Sequence, residues 1–304
     1  MNKNRKMTIK KYITTLPVIL LSQITFAQPT QTSIPLQFDF GNPAPYGGPS
    51  TVITIQGKKL PILLDTGAKK SEVTLSPYAL KNLNVKFTGK YECFNAVDGR
   101  YCEKVFIIPE INIGSFVLKN VKGTMMSKLW GGNDEDLKEN EASKNGVIGF
   151  SLLSKFNLLL DYPNSKAILV KRGESPINYD VSKWISIPFT DHLNTHLYIN
   201  GELRTISWDT GAIPSVIRKS SNDKLSSCPG DAPYSKKKDC ISIKAMQFAT
   251  VNNIRLPNTW FKVIKLPSYA QFDGLIGSNF YSENLVYFDF DKNLIFVRNV
   301  SSNK

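Results

Sequence analysis

Only two histidines, His192 and His196, occur in 304 residues. Both stand in a polar turn ahead of a strand-like run, where histidines are more often surface residues than metal ligands. A Ser-His-Asp triad would have to recruit one of them, and no nucleophile-elbow motif accompanies either. Phosphate-cradling glycine loops and the dinucleotide fingerprint are missing as well. Cysteine is sparse: the four present form two local pairs, Cys93 with Cys102 and Cys228 with Cys240. Neither pair has the two-to-four-residue gap of a zinc knuckle, so disulfides are the better reading and no metal or cofactor is expected.

A membrane-spanning apolar run is also lacking. The uncharged stretch from Tyr12 to Ala27 is richest in apolar residues only at Leu16 to Leu21, too short to cross a bilayer comfortably. It follows Lys3, Arg5, Lys6, Lys10 and Lys11 and ends in Thr25-Phe26-Ala27, which offers a small-residue cleavage site. Residues 1–27 therefore read as a secretory signal peptide, with a short membrane anchor as the alternative. Export to a periplasm or beyond the cell follows, with no stable membrane insertion after cleavage. The cysteine pairs fit that compartment, each disulfide constraining the unfolded chain by roughly 2–3 kcal/mol in the entropy model.

Acidic residues are in deficit, 25 against 38 Lys plus Arg. Five of the basic residues leave with the signal segment, and the remainder carries +8. Apart from Lys236-Lys237-Lys238 the basic residues are scattered, and no nucleic-acid motif accompanies them. A solvated surface explains them, and nucleic acid is not an expected partner.

At 41% apolar and 21% charged, the chain has material for an ample core. Most of it reads as short strands. Ile34 to Phe40 alternates apolar and polar residues after a loose polar start at Gln28 to Ser33. Thr51 to Ile55 and Leu60 to Leu64 flank Gln56-Gly57 as a hairpin running into Asp65. A short helix is expected over Ser76 to Leu83 with Ser76 as its cap. Strands and turns occupy Lys86 to Met125. Trp130 to Asn145, with Asp134-Glu135-Asp136, reads as an exposed loop; its spacing and missing central glycine do not fit an EF-hand. Another hairpin lies at Leu158 to Val170, and the polar segment Lys171 to Lys183 reads as a linker.

The second half restates the first. Pro61-Ile62-Leu63-Leu64-Asp65-Thr66-Gly67-Ala68 is echoed by Thr205-Ile206-Ser207-Trp208-Asp209-Thr210-Gly211-Ala212. Gly57 lies 8 residues before Asp65, and Gly201 lies 8 before Asp209. Gly146-Val147-Ile148-Gly149 matches Gly274-Leu275-Ile276-Gly277, and from each final glycine 12 residues lead to another aspartate, Asp161 or Asp289. A cysteine pair falls between the Asp-Thr-Gly and the apolar-apolar-Gly segment in both halves. Asp65 to Gly149 spans 84 residues and Asp209 to Gly277 spans 68, a difference about the size of the acidic loop. This is an internal duplication, too short for a solenoid, and it predicts two similar β-rich lobes.

The paired Asp-Thr-Gly-Ala segments, each followed by Ser71-Glu72-Val73 or Ser215-Val216-Ile217, and the two apolar-apolar-Gly segments resemble the aspartic peptidases of the pepsin and retropepsin group. Ala68 and Ala212 look like the retropepsin pattern; both copies in one chain look like pepsin. The resemblance covers nearly all of the mature chain. It implies a mainly β fold of two β-barrel-like lobes with a cleft between them, an N-terminal lobe over 28–172, the linker at 173–183 and a C-terminal lobe over 184–304. It further implies a monomer acting on polypeptide substrates, with Asp65 and Asp209 as the catalytic pair. Thr66, Gly67, Thr210 and Gly211 would support them, the threonines cross-bonding the two turns. In the family a hairpin closes over the cleft. The Cys93–Cys102 loop, turning at Asp98-Gly99 and carrying Tyr101, occupies that place or is an ordinary stapled hairpin.

The chemistry supports the resemblance independently. Two carboxylates held together cannot both ionise cheaply, so they share a proton. The charged member can then take a proton from water while the neutral one hydrogen-bonds the scissile carbonyl. Alanine at 68 and 212 lacks the hydroxyl that could donate to the ionised carboxylate, so the expected pH optimum is only mildly acidic. The rival reading is a catalytically silent peptide-binding or inhibitor module of the same fold. A structural envelope protein has only export and disulfides in its favour.

Overall fold

A computed structural model describes residues 29–40, 46–96, 99–126, 141–229, 240–245 and 247–300. The signal segment, the Val97-Asp98 turn, the acidic run at 130–140 and Lys236-Lys237-Lys238 lie outside the described residues. The fold is mainly β, with two lobes built around two eight-stranded sheets and a six-stranded sheet drawn from both halves.

The two large sheets repeat one core arrangement. In the first, the strand Lys58–Asp65 pairs antiparallel with Tyr46–Ile55 and parallel with Gly146–Gly149. In the second, Glu202–Trp208 pairs antiparallel with Asn194–Ile199 and parallel with Gly274–Ile276. The third partner repeats too: Val73–Leu75 runs antiparallel to Gly146–Gly149, as Val216–Ile217 does to Gly274–Ile276. The sequence duplication is thus a duplication of strand register. The long strand Gly99–Ile113 has no unbroken counterpart; Ile241–Ala245 and Phe248–Thr250 share its role, pairing with different neighbours.

The six-stranded sheet was not expected. Its centre is Phe156–Asp161 against Asn284–Asp289, with Leu158 opposite Phe288 and Leu160 opposite Val286. Every residue of both strands is buried. Sheets covered on both faces take continuous apolar strands, which is why these two runs do not alternate. One face joins the main core through Leu158, Leu160 and Phe288. The other packs Leu159, Ile168, Leu285, Tyr287 and Phe296 beneath Trp184.

The same sheet explains what becomes of the chain on either side of the first lobe. Of the start expected to be loose, Gln31 to Ser33 is ordered, because Gln31–Pro35 is an edge strand on Lys166–Lys171, and Gln28 lies outside the described residues. Ile34 to Phe40 is accordingly not one strand. The chain changes sheets at Leu36, whose N–H donates to the Ser165 carbonyl, and Gln37–Phe40 continues in the first lobe. The linker segment packs on that sheet as well. Tyr179 and Val181 pack on the second face, and the Tyr179 hydroxyl donates to Asp161 at 2.9 Å. Arg172 and Gly173 both donate to Asp291 at 2.7 Å.

Two smaller corrections concern the first lobe. The expected helix is one turn, Pro77–Leu80, with Ser76 Oγ accepting from the Ala79 N–H at 3.1 Å. The end of the acidic segment is not an exposed loop but a short helix, Glu141–Asn145, with Ala142 and Asn145 buried. Asn145 donates its side-chain amide to the Pro61 carbonyl at 2.9 Å, a tertiary contact that polar composition conceals. Both cysteine pairs are disulfides. Cys93 and Cys102 face each other across the hairpin of Lys86–Ala96 and Gly99–Ile113, and Cys228–Cys240 closes the hairpin of Leu225–Ser227 and Ile241–Ala245.

Candidate active site

Asp65 is the last residue of its strand, opposite Gly149, and Asp209 follows Trp208 directly with its N–H bonded to the Ile276 carbonyl at 3.0 Å. Each strand is anchored by its buried apolar residues, Ile62 and Leu64 in one lobe, Ile206 and Trp208 in the other. Trp208 is held by aromatic neighbours, with Phe280 edge-on at 5.4 Å, and by a hydrogen bond from its indole to Thr195 at 3.0 Å. The two aspartates therefore arrive on rigid elements, at the seam between lobes.

A reciprocal set of hydrogen bonds closes that seam. The Thr66 N–H donates to Thr210 Oγ1 and the Thr210 N–H to Thr66 Oγ1, both at 3.0 Å. Each hydroxyl then donates to a carbonyl of the opposite strand, Thr66 to Trp208 at 3.0 Å and Thr210 to Leu64 at 2.8 Å. Both threonines are buried, so these bonds are shielded from water and costly to leave unmade. The carboxylates receive matching support. Asp65 Oδ1 accepts from the N–H groups of Gly67 and Ala68 at 2.7 and 3.1 Å, and Asp209 Oδ1 accepts from Gly211 at 2.8 Å.

The glycines are demanded by close approach. A methyl group on Gly67 would stand 2.3 Å from Asp209 Oδ2, and one on Gly211 would stand 2.7 Å from Asp65 Cγ. Each carboxylate thus lies against the turn of the opposite lobe. Gly149 and Gly277 serve one layer below, where a side chain would strike the carbonyls of Ala68 and Ala212 respectively.

Burial holds the Asp65 carboxyl well above its ordinary value, the charge of Asp209 adds to this, and so does the hydrogen bond Asp65 donates to Asp209. The amides of Gly67 and Ala68 oppose the shift. Burial raises Asp209 as well, but the bond from Asp65, the Gly211 amide and the Lys69 charge favour its anion. The pair therefore titrates as a unit that retains one proton. Both aspartates keep part of their surface exposed, so solvent can reach them.

Sequence reasoning named every residue of this arrangement but missed Lys69 and Ser207. Lys69 leaves the first turn, crosses the seam and donates to Ser207 Oγ at 3.2 Å, with its ammonium 5.7 Å from the Phe272 ring centre. The only signal was an asymmetry between repeats: Ile213 stands where the first copy has Lys69, and Leu63 where the second has Ser207. The stapled hairpin passes close by, where Lys70 donates to the Cys93 carbonyl at 3.5 Å. Tyr101 stacks on Phe94 within the hairpin, ring centres 5.8 Å apart. His192 and His196 are exposed and lie outside the pair. Among the described residues no group of three His, Cys, Asp or Glu side chains could hold a metal ion, and no helix is long and apolar enough to cross a membrane.

No protein-family model and no curated protein matches the sequence. Solved structures do match. The chain is similar in fold to conglutin gamma. That structure, described as a unique basic 7S globulin from lupine seeds, aligns with 90% of this chain and 96% of its own length at a TM-score of 0.54. Sequence identity is 12%, so the likeness to conglutin gamma concerns the fold alone.

Proposed function

We propose that the chain is an exported aspartic endopeptidase of the pepsin and retropepsin type, hydrolysing peptide bonds with water activated between Asp65 and Asp209. One observation carries the reading: two carboxyl groups from separate lobes meet at the seam, each seated against the other lobe's glycine turn. A purely structural seam has no use for two repelling acids in register. The ionised member of the pair takes a proton from water as the water oxygen attacks the scissile carbonyl carbon, while the protonated member hydrogen-bonds the carbonyl oxygen. The tetrahedral intermediate collapses when the aspartate that took the proton from water passes it to the amide nitrogen, the C–N bond breaks and the pair returns to its singly protonated state. No covalent enzyme intermediate is required.

The remaining roles follow from that reading. Thr66, Thr210, Gly67 and Gly211 fix the geometry of the pair, and the Cys93–Cys102 hairpin covers the bound peptide. Export through the signal segment accounts for the disulfides, and the protein works as a monomer on polypeptide substrates. Incubating the mature protein with an unfolded polypeptide from pH 3 to 7 tests the proposal. Cleavage should appear with a mildly acidic optimum and vanish in Asp65→Asn and in Asp209→Asn. Cleavage surviving in either variant would refute the paired mechanism, and a profile peaking below about pH 4 would count against the role given to Ala68 and Ala212.

A second reading is a catalytically silent peptide-binding or inhibitor module of the same fold. On that reading the cleft holds a peptide or a partner enzyme without cutting. Saturable peptide binding with no product after prolonged incubation across the same pH range would select it.

A further inference from the structure

We propose that Lys69 makes this site select peptides that carry an aspartate or glutamate side chain beside the scissile bond. The proposal rests on the peptidase reading and gives it a substrate class.

The two repeats offer a near-symmetric pair of positions flanking the aspartates, and the chain fills them differently. On one side stand Leu63 and Ile213, both within 3.8 Å of where a side chain on Gly48 would begin. On the other stand Lys69 and Ser207, joined across the seam at 3.2 Å. One end of the site is thus apolar and the other cationic, although the same fold builds both.

Lys69 is also under-supplied with partners for a charge in its position. An ammonium has three donors. Among the described residues its hydrogen bond goes to one hydroxyl, and its other close neighbour is the Phe272 ring. Burial lowers its proton affinity, and the negative charge of the Asp65–Asp209 pair only partly offsets this. The nearest other lysine is Lys70, exposed beneath the stapled hairpin, and the closest outlying acid is Asp191, which acts on His192, an imidazole that burial and the two lysines hold below its ordinary value. A carboxylate brought in by the substrate would satisfy the open donors and relieve the desolvation at once. A substrate lysine or arginine would meet repulsion.

The test uses one cleavable peptide and versions in which each residue flanking the scissile bond is changed to Glu, Gln or Lys. Wild-type kcat/KM should be roughly tenfold to a hundredfold higher for Glu than for Gln at one flanking position, the range expected of a charge-assisted hydrogen bond. Lys69→Gln should bring that ratio close to one while still cleaving the Gln peptide, and Lys69→Glu should shift the preference toward the Lys peptide. Lys69→Met, which keeps an unbranched stem against Phe272, provides the same ratio should Lys69→Gln fold poorly. A structural role for Lys69 would lower all rates together and leave the ratio unmoved, which overturns the proposal. Equal cleavage of Glu and Gln peptides by the wild type overturns it as well, while leaving the peptidase reading standing. Absence of cleavage of every peptide removes both.

Discussion

Replacing Gly67 by alanine adds a single methyl group, and the structure specifies what that group meets. Its carbon would stand 2.3 Å from Asp209 Oδ2, 2.5 Å from Cγ and 2.6 Å from Oδ1, whereas ordinary contact begins at 3.4 Å. The Asp209 carboxylate, or the turn bearing Gly67, must retreat by about 1 Å. The carboxylate cannot do so without lengthening its 2.8 Å bond to the Gly211 amide or losing the proton shared with Asp65. A displacement of ~1 Å at reacting groups costs on the order of a hundredfold in rate. The reciprocal variant, Gly211→Ala, is less severe because its nearest atom is at 2.7 Å. Gly48→Ala is the control: its methyl would find Leu63 at 3.6 Å and Ile213 at 3.8 Å, both ordinary distances. Steady-state kcat/KM on one peptide, with thermal melts to separate activity from stability, should rank the proteins Gly48→Ala near wild type, then Gly211→Ala, then Gly67→Ala. Equal activity in Gly67→Ala and Gly48→Ala would mean that the carboxylates do not meet across the seam as described.

Three further outcomes are expected. Because the native carboxyl of Asp65 is raised above its ordinary 3.8, the folded state holds a proton that the unfolded chain has released, and stability is lost as pH rises through the native value. Asp65→Asn should therefore melt higher than wild type at neutral pH, with the gain closing as pH falls toward 3.8; a gain that grows on acidification contradicts the assignment. Thr66→Val leaves the Thr210 N–H and the Trp208 carbonyl buried without their partner, so urea melts should show a loss of about 2–4 kcal/mol. In the second lobe Asp223 holds buried Arg204 with both oxygens at 3.0 Å, so Asp223→Ala should cost about 3–5 kcal/mol by stranding the guanidinium. Glu202, at 39% side-chain exposure the looser partner of the same arginine, should cost under about 1 kcal/mol when removed, and the reverse order would disprove this account.

Much of the architecture was legible because the chain states it twice. The strand ending in Asp65 and the one ending before Asp209 could be recognised from apolar runs stopped by Asp-Thr-Gly, and their partners from the glycine-framed segments. What misled was composition. Gln31 to Ser33 is polar yet forms an edge strand, since an edge needs backbone pairing more than apolar side chains. Within the linker, Tyr179 and Val181 cover a sheet face, which its polar composition does not announce. Asn145 belongs to an acidic segment yet is buried, because its amide satisfies the Pro61 carbonyl. Such choices depend on neighbours more than 80 residues away, and no local window contains them.

The sequence by itself determined the repeat, the identity of the two acids and the small residues beside them, because those constraints act within a few residues of each aspartate: a strand to deliver it, a turn to stop it, no side chain where another group must come close. Only the tertiary structure decided that each acid seats against the other lobe's turn, that the threonines exchange hydrogen bonds across the seam, and that Lys69 reaches Ser207 while Leu63 and Ile213 both flank Gly48. These are relations between lobes, set by how two buried faces pack on a sheet common to both halves.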